Sequence, residues 1–362
     1  MKADYLIVGS GLTGATIARL LFDQGHQVMV VDRRSHHGGN VHDHVHPSGI
    51  RIHTYGPHYF RTSSEAVWNF VTRFSDFYKY EATLQSIVDE QCEQWPISGS
   101  YIRREIGEDW EPSFKGSPAN FEEASLSIMP KEIYEKFVKG YSEKQWGVPA
   151  SSLASDLAKR FDVHQNDDPR LKSSKYQGIP VDGYATLMKN MLEGIPLILN
   201  FDYLNNRDLF QVQKQLIFTG PIDEFFNYDL GKLSYRGQKR DHTYIPNETF
   251  AQPVGQVNNP NPNNGEHIRT MEWKHMMDKQ YADQIKGTVL TKEVPFTPNV
   301  ADEYEYPFPD LENSKLYQQY RERAETLPNT IICGRLGEYK YYDMDQAIAR
   351  AFILAKHISG NK

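Results

Sequence analysis

Three short segments concentrate the side chains able to do chemistry. They are His53-Thr54-Tyr55-Gly56-Pro57-His58-Tyr59-Phe60-Arg61-Thr62, Lys139-Gly140-Tyr141-Ser142-Glu143-Lys144-Gln145-Trp146-Gly147, and Gly334-Arg335-Leu336-Gly337-Glu338-Tyr339-Lys340-Tyr341-Tyr342-Asp343-Met344-Asp345. No serine, cysteine or carboxylate pair stands out as a protein nucleophile with its base. The segments supply rings, hydroxyls and cations instead. A planar guanidinium matches phosphate oxygens in fork geometry, so Arg160, Arg269 and Arg335 suit a diphosphate. Taken singly, each could equally be a solvated or salt-bridged surface residue. The 22 tyrosines combine a stacking face with a hydroxyl donor and suit a polar, ring-shaped ligand, although packing is their commoner use. His58 can serve a ligand or simply bond to backbone, and His53 reads as structural. His36, His37, His42, His44 and His46 have mixed spacing that does not fit a metal site.

The first forty residues are the element that would hold a cofactor beside these groups. Strand residues Asp4 to Val8 run into Gly9-Ser10-Gly11-Leu12-Thr13-Gly14, a helix follows, and Val28 to Val31 ends at Asp32. Gly9 makes the tight turn, Gly11 lets backbone N–H groups of the Leu12 and Thr13 turn approach a pyrophosphate, and Gly14 lets helix and strand pack closely. Asp32 is placed to accept from a ribose hydroxyl. After it comes Arg33-Arg34-Ser35-His36-His37-Gly38-Gly39-Asn40, which resembles the second fingerprint of the glutathione-reductase-like FAD proteins. That resemblance implies a tightly held FAD rather than a diffusing NAD. Thr219-Gly220-Pro221 and the late strand, glycine turn and helix around Gly334 are where such folds return to the cofactor. The expected cofactor contacts are therefore Gly9, Gly11, Leu12, Thr13, Gly14, Asp32, Arg33, Gly38, Gly39, Asn40, His58, Thr219, Gly220, Arg335, Tyr342, Asp343 and Met344.

The chain has 362 residues, 39% apolar and 24% charged, enough for a large core and two or three domains. Its net charge of -7 offers no global attraction to nucleic acid or an anionic membrane. Cys92 and Cys333 are too few and too far apart for a disulfide framework or zinc, which fits a reducing compartment. The opening apolar run is short and feeds a glycine motif, so it reads as neither signal peptide nor membrane span. A cytoplasmic protein is expected. The pattern predicts an α/β protein with three parts. The first is a discontinuous, Rossmann-like FAD-binding domain (1–78, 181–234, 310–362). The second is an inserted helical domain (100–168) with a mobile loop at about 158–175. The third is an antiparallel β-sheet domain (79–99, 169–180, 235–309). Helices are expected at about 65–78, 120–128, 131–140 and 345–358, and a flexible surface loop at Asn258 to Gly265.

Together the three segments, with Tyr176-Gln177-Gly178-Ile179-Pro180, Thr219-Gly220-Pro221 and Thr291-Lys292-Glu293, resemble the UDP-galactopyranose mutase family over essentially the whole chain. The resemblance implies an isomerase that interconverts UDP-galactopyranose and UDP-galactofuranose, with reduced flavin N5 as nucleophile at the anomeric carbon and no net redox. It implies NADH or NADPH as reductant, a UDP-sugar substrate and a homodimer. By the same resemblance, Arg160 lies on a closing loop and holds the diphosphate with Arg335. Tyr306 and Tyr341 contact the phosphates, Tyr141 stacks on the nucleobase, Trp146 lines the sugar pocket, and Arg269 joins the substrate site.

Some positions depart from the family pattern. Where the galactose enzymes have Phe-His-Thr, this chain has Phe60-Arg61-Thr62, an exchange that marks relatives accepting the N-acetylated sugar. Arg61 could donate to that extra carbonyl or pair with a local acid. The family's Asp-Asn-Tyr loop becomes Asp168-Pro169-Arg170, which puts Arg170 where a substrate-facing tyrosine is usual, and an asparagine near the nucleobase becomes Ala82. Base and sugar identity are therefore open. Competing classes are the same chemistry on another nucleotide sugar, an amine-oxidase-type flavin oxidoreductase, and a non-catalytic nucleotide-sugar binder.

Overall fold

The computed structural model describes residues 1–160 and 162–360. Phe161, in the expected loop, and residues 361–362, at the end of the expected FAD-binding domain, lie outside them. Five parallel strands run in the order Leu197–Ile198, Val28–Val31, Lys2–Val8, Gln211–Phe218, Thr330–Ile332. Both faces of this sheet are covered at its centre, which is why Tyr5–Val8, Val28–Val31 and Leu216–Phe218 read as unbroken apolar runs. Ile7, Val30 and Ile217 face one side, where they meet Ile17 and Leu21 of helix Leu12–Asp23 and Ile348 and Ala351 of helix Met344–Ile358. Leu6, Val31, Leu216 and Phe218 alternate to the other face and pack with Tyr203 and Phe225.

A second sheet has seven strands in the order Tyr306–Pro307, Tyr235–Ile245, Thr288–Phe296, Arg269–Glu272, Gln256–Asn258, Leu84–Val88, Gln91–Trp95. Its register sets Glu293 opposite both Arg240 and Arg269. One pair in it, Gln256–Asn258 with Leu84–Val88, is parallel, so the expected antiparallel sheet is mixed. Strand Tyr176–Pro180, expected in that domain, pairs instead with Phe60–Thr62 and Phe77–Lys79 in a separate three-stranded sheet. The same pairing ends the predicted helix 65–78 early. Helix Glu65–Val71 is capped by Ser64, and the following segment becomes strand Phe77–Lys79 because it finds backbone partners in Tyr176–Pro180.

The inserted helical region packs on its own cluster, with Tyr101, Phe121, Ile133, Phe137 and Trp146 buried together. Ser98 and Asn120 cap two of its helices through their side chains. The predicted helix 131–140 continues further. Lys131–Tyr134 leads through one turn of π-helix, Glu135–Lys139, into Gly140–Trp146. The expected loop from Asn258 to Gly265 is anchored at its base. Asn259 is 1% exposed and donates to Asn264 O and His267 O, and a Cβ on Gly140 would stand 2.1 Å from Pro260 O. No helix among the described residues is long and apolar enough to cross a membrane.

Candidate functional site

Two glycine turns meet at the carboxyl ends of the parallel strands. Gly9 has φ +105°, and a Cβ there would lie 2.0 Å from Thr219 Oγ1, which itself donates to Val8 O at 2.8 Å. Gly39 has φ +55°, and its Cβ would lie 2.9 Å from the Cα of Gly11. Side chains at either turn would fill the cleft between them. Gly11 precedes helix Leu12–Asp23 without a side-chain cap, so the first-turn N–H groups face the cleft. Those features fit an FAD-type pyrophosphate, and Leu12, Thr13, Gly14, Gly38, Asn40, Gly220, Tyr342 and Met344 complete the walls with Asp32 and Arg33.

Two of these groups are already engaged. Asp32 accepts from Ser10 N at 2.7 Å, Ser10 Oγ at 2.6 Å and Arg34 N at 2.9 Å, so a ribose hydroxyl would have to share this carboxylate. Arg33 does not point freely at a ligand. It forks onto Glu224 at 2.8 and 2.6 Å, and this pairing holds its pKa above the ordinary value despite burial. Arg34, which the motif reading passed over, lines the cleft, donates to Asn40 Oδ1 at 2.8 Å and lies 4.4 Å from the ring centre of Tyr55. Its place inside the second fingerprint was the available signal.

A cavity of about 800 Å³ adjoins the cleft and shares four of its residues, Asn40, His58, Arg335 and Met344. Of the predicted substrate residues, it brings together Arg61, Tyr141, Trp146, Arg160, Arg269, Tyr306, Arg335 and Tyr341. Arg160 lies 3.4 Å and Arg335 4.6 Å from the ring centre of Tyr341, which stacks on Tyr306 at 5.5 Å and 9°. Burial would push the Tyr341 phenol up, but the two guanidiniums bring it below its ordinary value. Arg335 donates to Glu305 O at 3.2 Å and Tyr342 O at 2.8 Å, both neutral carbonyls, which leaves its charge available to an anion. The π turn sits just before Tyr141 and Trp146 and changes the helical register that aims them into the cavity.

Arg269 is held from behind. Its Nε donates to Glu293 Oε2 at 2.5 Å, Arg240 Nε donates to Oε1 at 3.1 Å, and Arg240 forks onto Glu305 at 2.8 Å through each terminal nitrogen. Burial raises the Glu293 carboxyl, yet Arg269 and Arg240 hold it below the usual range. Neither Arg240 nor Glu305 was anticipated, since their meeting depends on strand register and not on a local motif. Gln256 and Asn258, equally unforeseen, line the cavity and bond to each other at 2.9 Å.

His58 donates from Nδ1 to Gly56 O at 2.7 Å, and its own backbone N–H donates to His53 Nδ1 at 3.0 Å. Because a carbonyl only accepts, Nδ1 carries the proton and Nε2 keeps a lone pair. Burial first, then His53 and Arg335, lower its pKa to about 3, and burial lowers His53 to about 3 as well. His53 is thus a structural acceptor, as its strand context implied.

Two expectations are corrected. Arg170 does not line the cavity, because it forks onto Asp168 at 2.6 and 2.9 Å and reaches Glu81 at 3.3 Å; Leu171 and Lys172 line it instead. Asp343 faces the substrate cavity rather than the cofactor cleft, because it caps helix Met344–Ile358 from the cavity side. Arg61 pairs with that local acid, 3.3 Å from Asp343 Oδ2, while Arg160 stands 3.7 Å from Oδ1.

The parallel sheet, paired glycine turns and adjoining cavity define a Rossmann-like flavoprotein with a second chamber lined by arginines and tyrosines. Residues 7–74 match the NAD(P)-binding Rossmann-like domain, and residues 136–341 match the model of the family described as UDP-galactopyranose mutase. The chain is 32% identical to dTDP-fucopyranose mutase of Escherichia coli over 99% of each chain. It is also 32% identical to the probable UDP-galactopyranose mutase of Klebsiella pneumoniae, over 96% of this chain and 92% of that one. A crystal structure of reduced UDP-galactopyranose mutase superposes with a TM-score of 0.79 at 14% identity, covering 99% of this chain and 96% of that one, a likeness of fold. The chain belongs to the UDP-galactopyranose mutase family and is an isomerase of that type.

Proposed function

We propose that the protein interconverts the pyranose and furanose forms of a nucleotide-linked galactose-type sugar, with UDP-galactopyranose as the first candidate. The observation that supports this reading is the sharing of Asn40, His58, Arg335 and Met344 by cleft and cavity, a junction at which the reacting end of a bound dinucleotide could meet the sugar end of a substrate. Reduced FAD, loaded with electrons by NADH or NADPH, supplies the nucleophile at the anomeric carbon when bound. The chain's residues then bind and orient. Arg160 and Arg335 clamp the diphosphate, Tyr306 and Tyr341 donate to it, Tyr141 stacks on the base and Trp146 borders the sugar. Neutral His58 offers Nε2 as an acceptor at the junction, and Arg160 lies over Tyr341 at the cavity wall. We assign the reaction to the cytoplasm and the protein to a homodimer.

Arg61 gives this site a second substrate, UDP-N-acetylgalactosamine, by exchanging Asp343 for the acetamido carbonyl. The test incubates dithionite-reduced protein with UDP-galactofuranose and with its N-acetyl analogue, against an oxidised control. Pyranose product that depends on reduction supports the mutase. Turnover by the oxidised protein, or none in either state with any nucleotide sugar, overturns it. Arg61→His should abolish turnover of the N-acetyl compound and spare the other; equal loss of both assigns Arg61 to Asp343 alone.

A further inference from the structure

This inference rests on the mutase reading just given, in which Trp146 borders the sugar. Trp146 is the last residue of helix Gly140–Trp146, lines the cavity and meets Phe308 edge-on at 5.6 Å between ring centres. The carbonyls at that helix end have no partner within the helix and carry its negative pole. Arg236, on strand Tyr235–Ile245, covers them. Its Nε donates to Gln145 O at 2.8 Å and one terminal nitrogen to Lys144 O at 3.3 Å, while the other donates to Thr297 Oγ1 at 2.6 Å. Gly147, at φ +72°, lets the guanidinium lie against the chain, since a Cβ there would stand 3.4 Å from both terminal nitrogens. Arg236 is 7% exposed, and among the described residues no carboxylate offsets the burial that lowers its pKa. Arg240, further along the same strand, has both Glu293 and Glu305.

A buried cation without a counter-charge is costly, and here the helix end offsets that cost. Gln238, on the same face of the strand, donates from Nε2 to Gln145 Oε1 at 2.7 Å, and Gln145 lines the cavity. Strand and helix are thus joined through both the backbone and the side chain of the residue before Trp146. The same strand pairs Arg236 with Tyr306, and Arg236 O accepts from Glu305 N at 3.1 Å. One strand position therefore holds the helix end in register with a tyrosine of the phosphate site. We propose that Arg236 is a positioning residue for the ring interconversion: it fixes the end of this helix, and with it the indole of Trp146, and so sets how the sugar lies at the junction with the cofactor cleft. Arg236 is not among the residues that line the cavity, so it acts through Trp146 and not on the diphosphate.

The test compares turnover of the nucleotide sugar the enzyme accepts, UDP-galactofuranose first, with calorimetric binding of the matching nucleoside diphosphate, UDP, both on flavin-loaded protein. Arg236→Met keeps the buried volume and removes the charge. Its kcat should fall about tenfold through misplacement of the sugar, while its affinity for UDP, which has no sugar to misplace, should stay within about twofold of the parent. Arg236→Lys keeps a cationic donor for Lys144 O and Gln145 O and should recover most of the lost turnover. In a Trp146→Ala background Arg236→Met should have little further effect. Should Arg236→Met fail to fold, Gln238→Leu, which frees the Gln145 side chain and leaves the helix end covered, should give the same split. Equal losses of turnover and UDP binding, or parental values of both, overturn the assignment and leave the mutase reading intact. Absence of turnover by the parent with any nucleotide sugar overturns both.

Discussion

The guanidinium of Arg160 lies 3.4 Å from the ring centre of Tyr341. This contact ties Arg160 to the glycine-rich segment that also carries Arg335. Both residues line the cavity, and a diphosphate can reinforce their contact, since Arg160 keeps its charge over the ring.

Removing the ring should therefore weaken substrate binding more than removing the hydroxyl does. Tyr341→Ala should raise KM for the nucleotide sugar roughly tenfold, the size of a partly desolvated cation–π contact of ~1–2 kcal/mol. Tyr341→Phe should raise it less. Steady-state kinetics of the reduced enzyme decide the matter, and equal effects of the two variants would assign the role to the hydroxyl.

The close approach of the two glycine turns makes a separable forecast about the cofactor. Gly39→Ala combines a positive φ with a 2.9 Å approach to Gly11 Cα, both backbone constraints that no side-chain movement relieves. The purified variant should lose most of its flavin while retaining its far-UV spectrum. Full flavin occupancy in the variant would count against the cleft as the FAD site.

Glu293 is 0% exposed and faces two arginines. Glu293→Gln keeps the volume, removes the counter-charge of Arg269 and leaves Arg240 with Glu305 alone. Breaking a buried pair in this way costs about 3–5 kcal/mol. Urea denaturation should show a lower midpoint with little change in slope. A midpoint within error of the parent would remove the network from the list of stabilising features.

The histidines set the acid limit. His53 titrates near 3 when folded because burial disfavours its charged form, against about 6.5 in the unfolded chain. Below pH 6.5 the unfolded state therefore binds the extra proton, and stability falls as pH drops from about 6.5 towards 3. At pH 5 the loss from His53 alone is on the order of 2 kcal/mol. Calorimetry at pH 7 and pH 5 should show a smaller drop in Tm for His53→Gln than for the parent, and identical drops would contradict the assignment.

The dinucleotide unit was legible because its signals are local. Turn glycines, a helix start and a strand ending in Asp32 lie within thirty residues and obey backbone sterics that need no distant partner. The tyrosine and arginine positions were legible through their resemblance to a family, although not their partners. Arg170 reads as a substrate contact in sequence but is captured by Asp168 two residues away, and Asp343 reads as a cofactor contact but caps its helix from the substrate side.

By itself, the sequence determined the parallel sheet and the glycine cradle, because periodicity and turn chemistry act over a few residues, and its motifs carried the resemblance to the family. Only the tertiary structure decided which charges are free. Whether Arg269 meets Glu293, Arg61 meets Asp343 or Leu171 meets Ala82 depends on strand register and loop packing between segments from 24 to 282 residues apart. No local energy term encodes those encounters; they follow from the burial of whole faces at once.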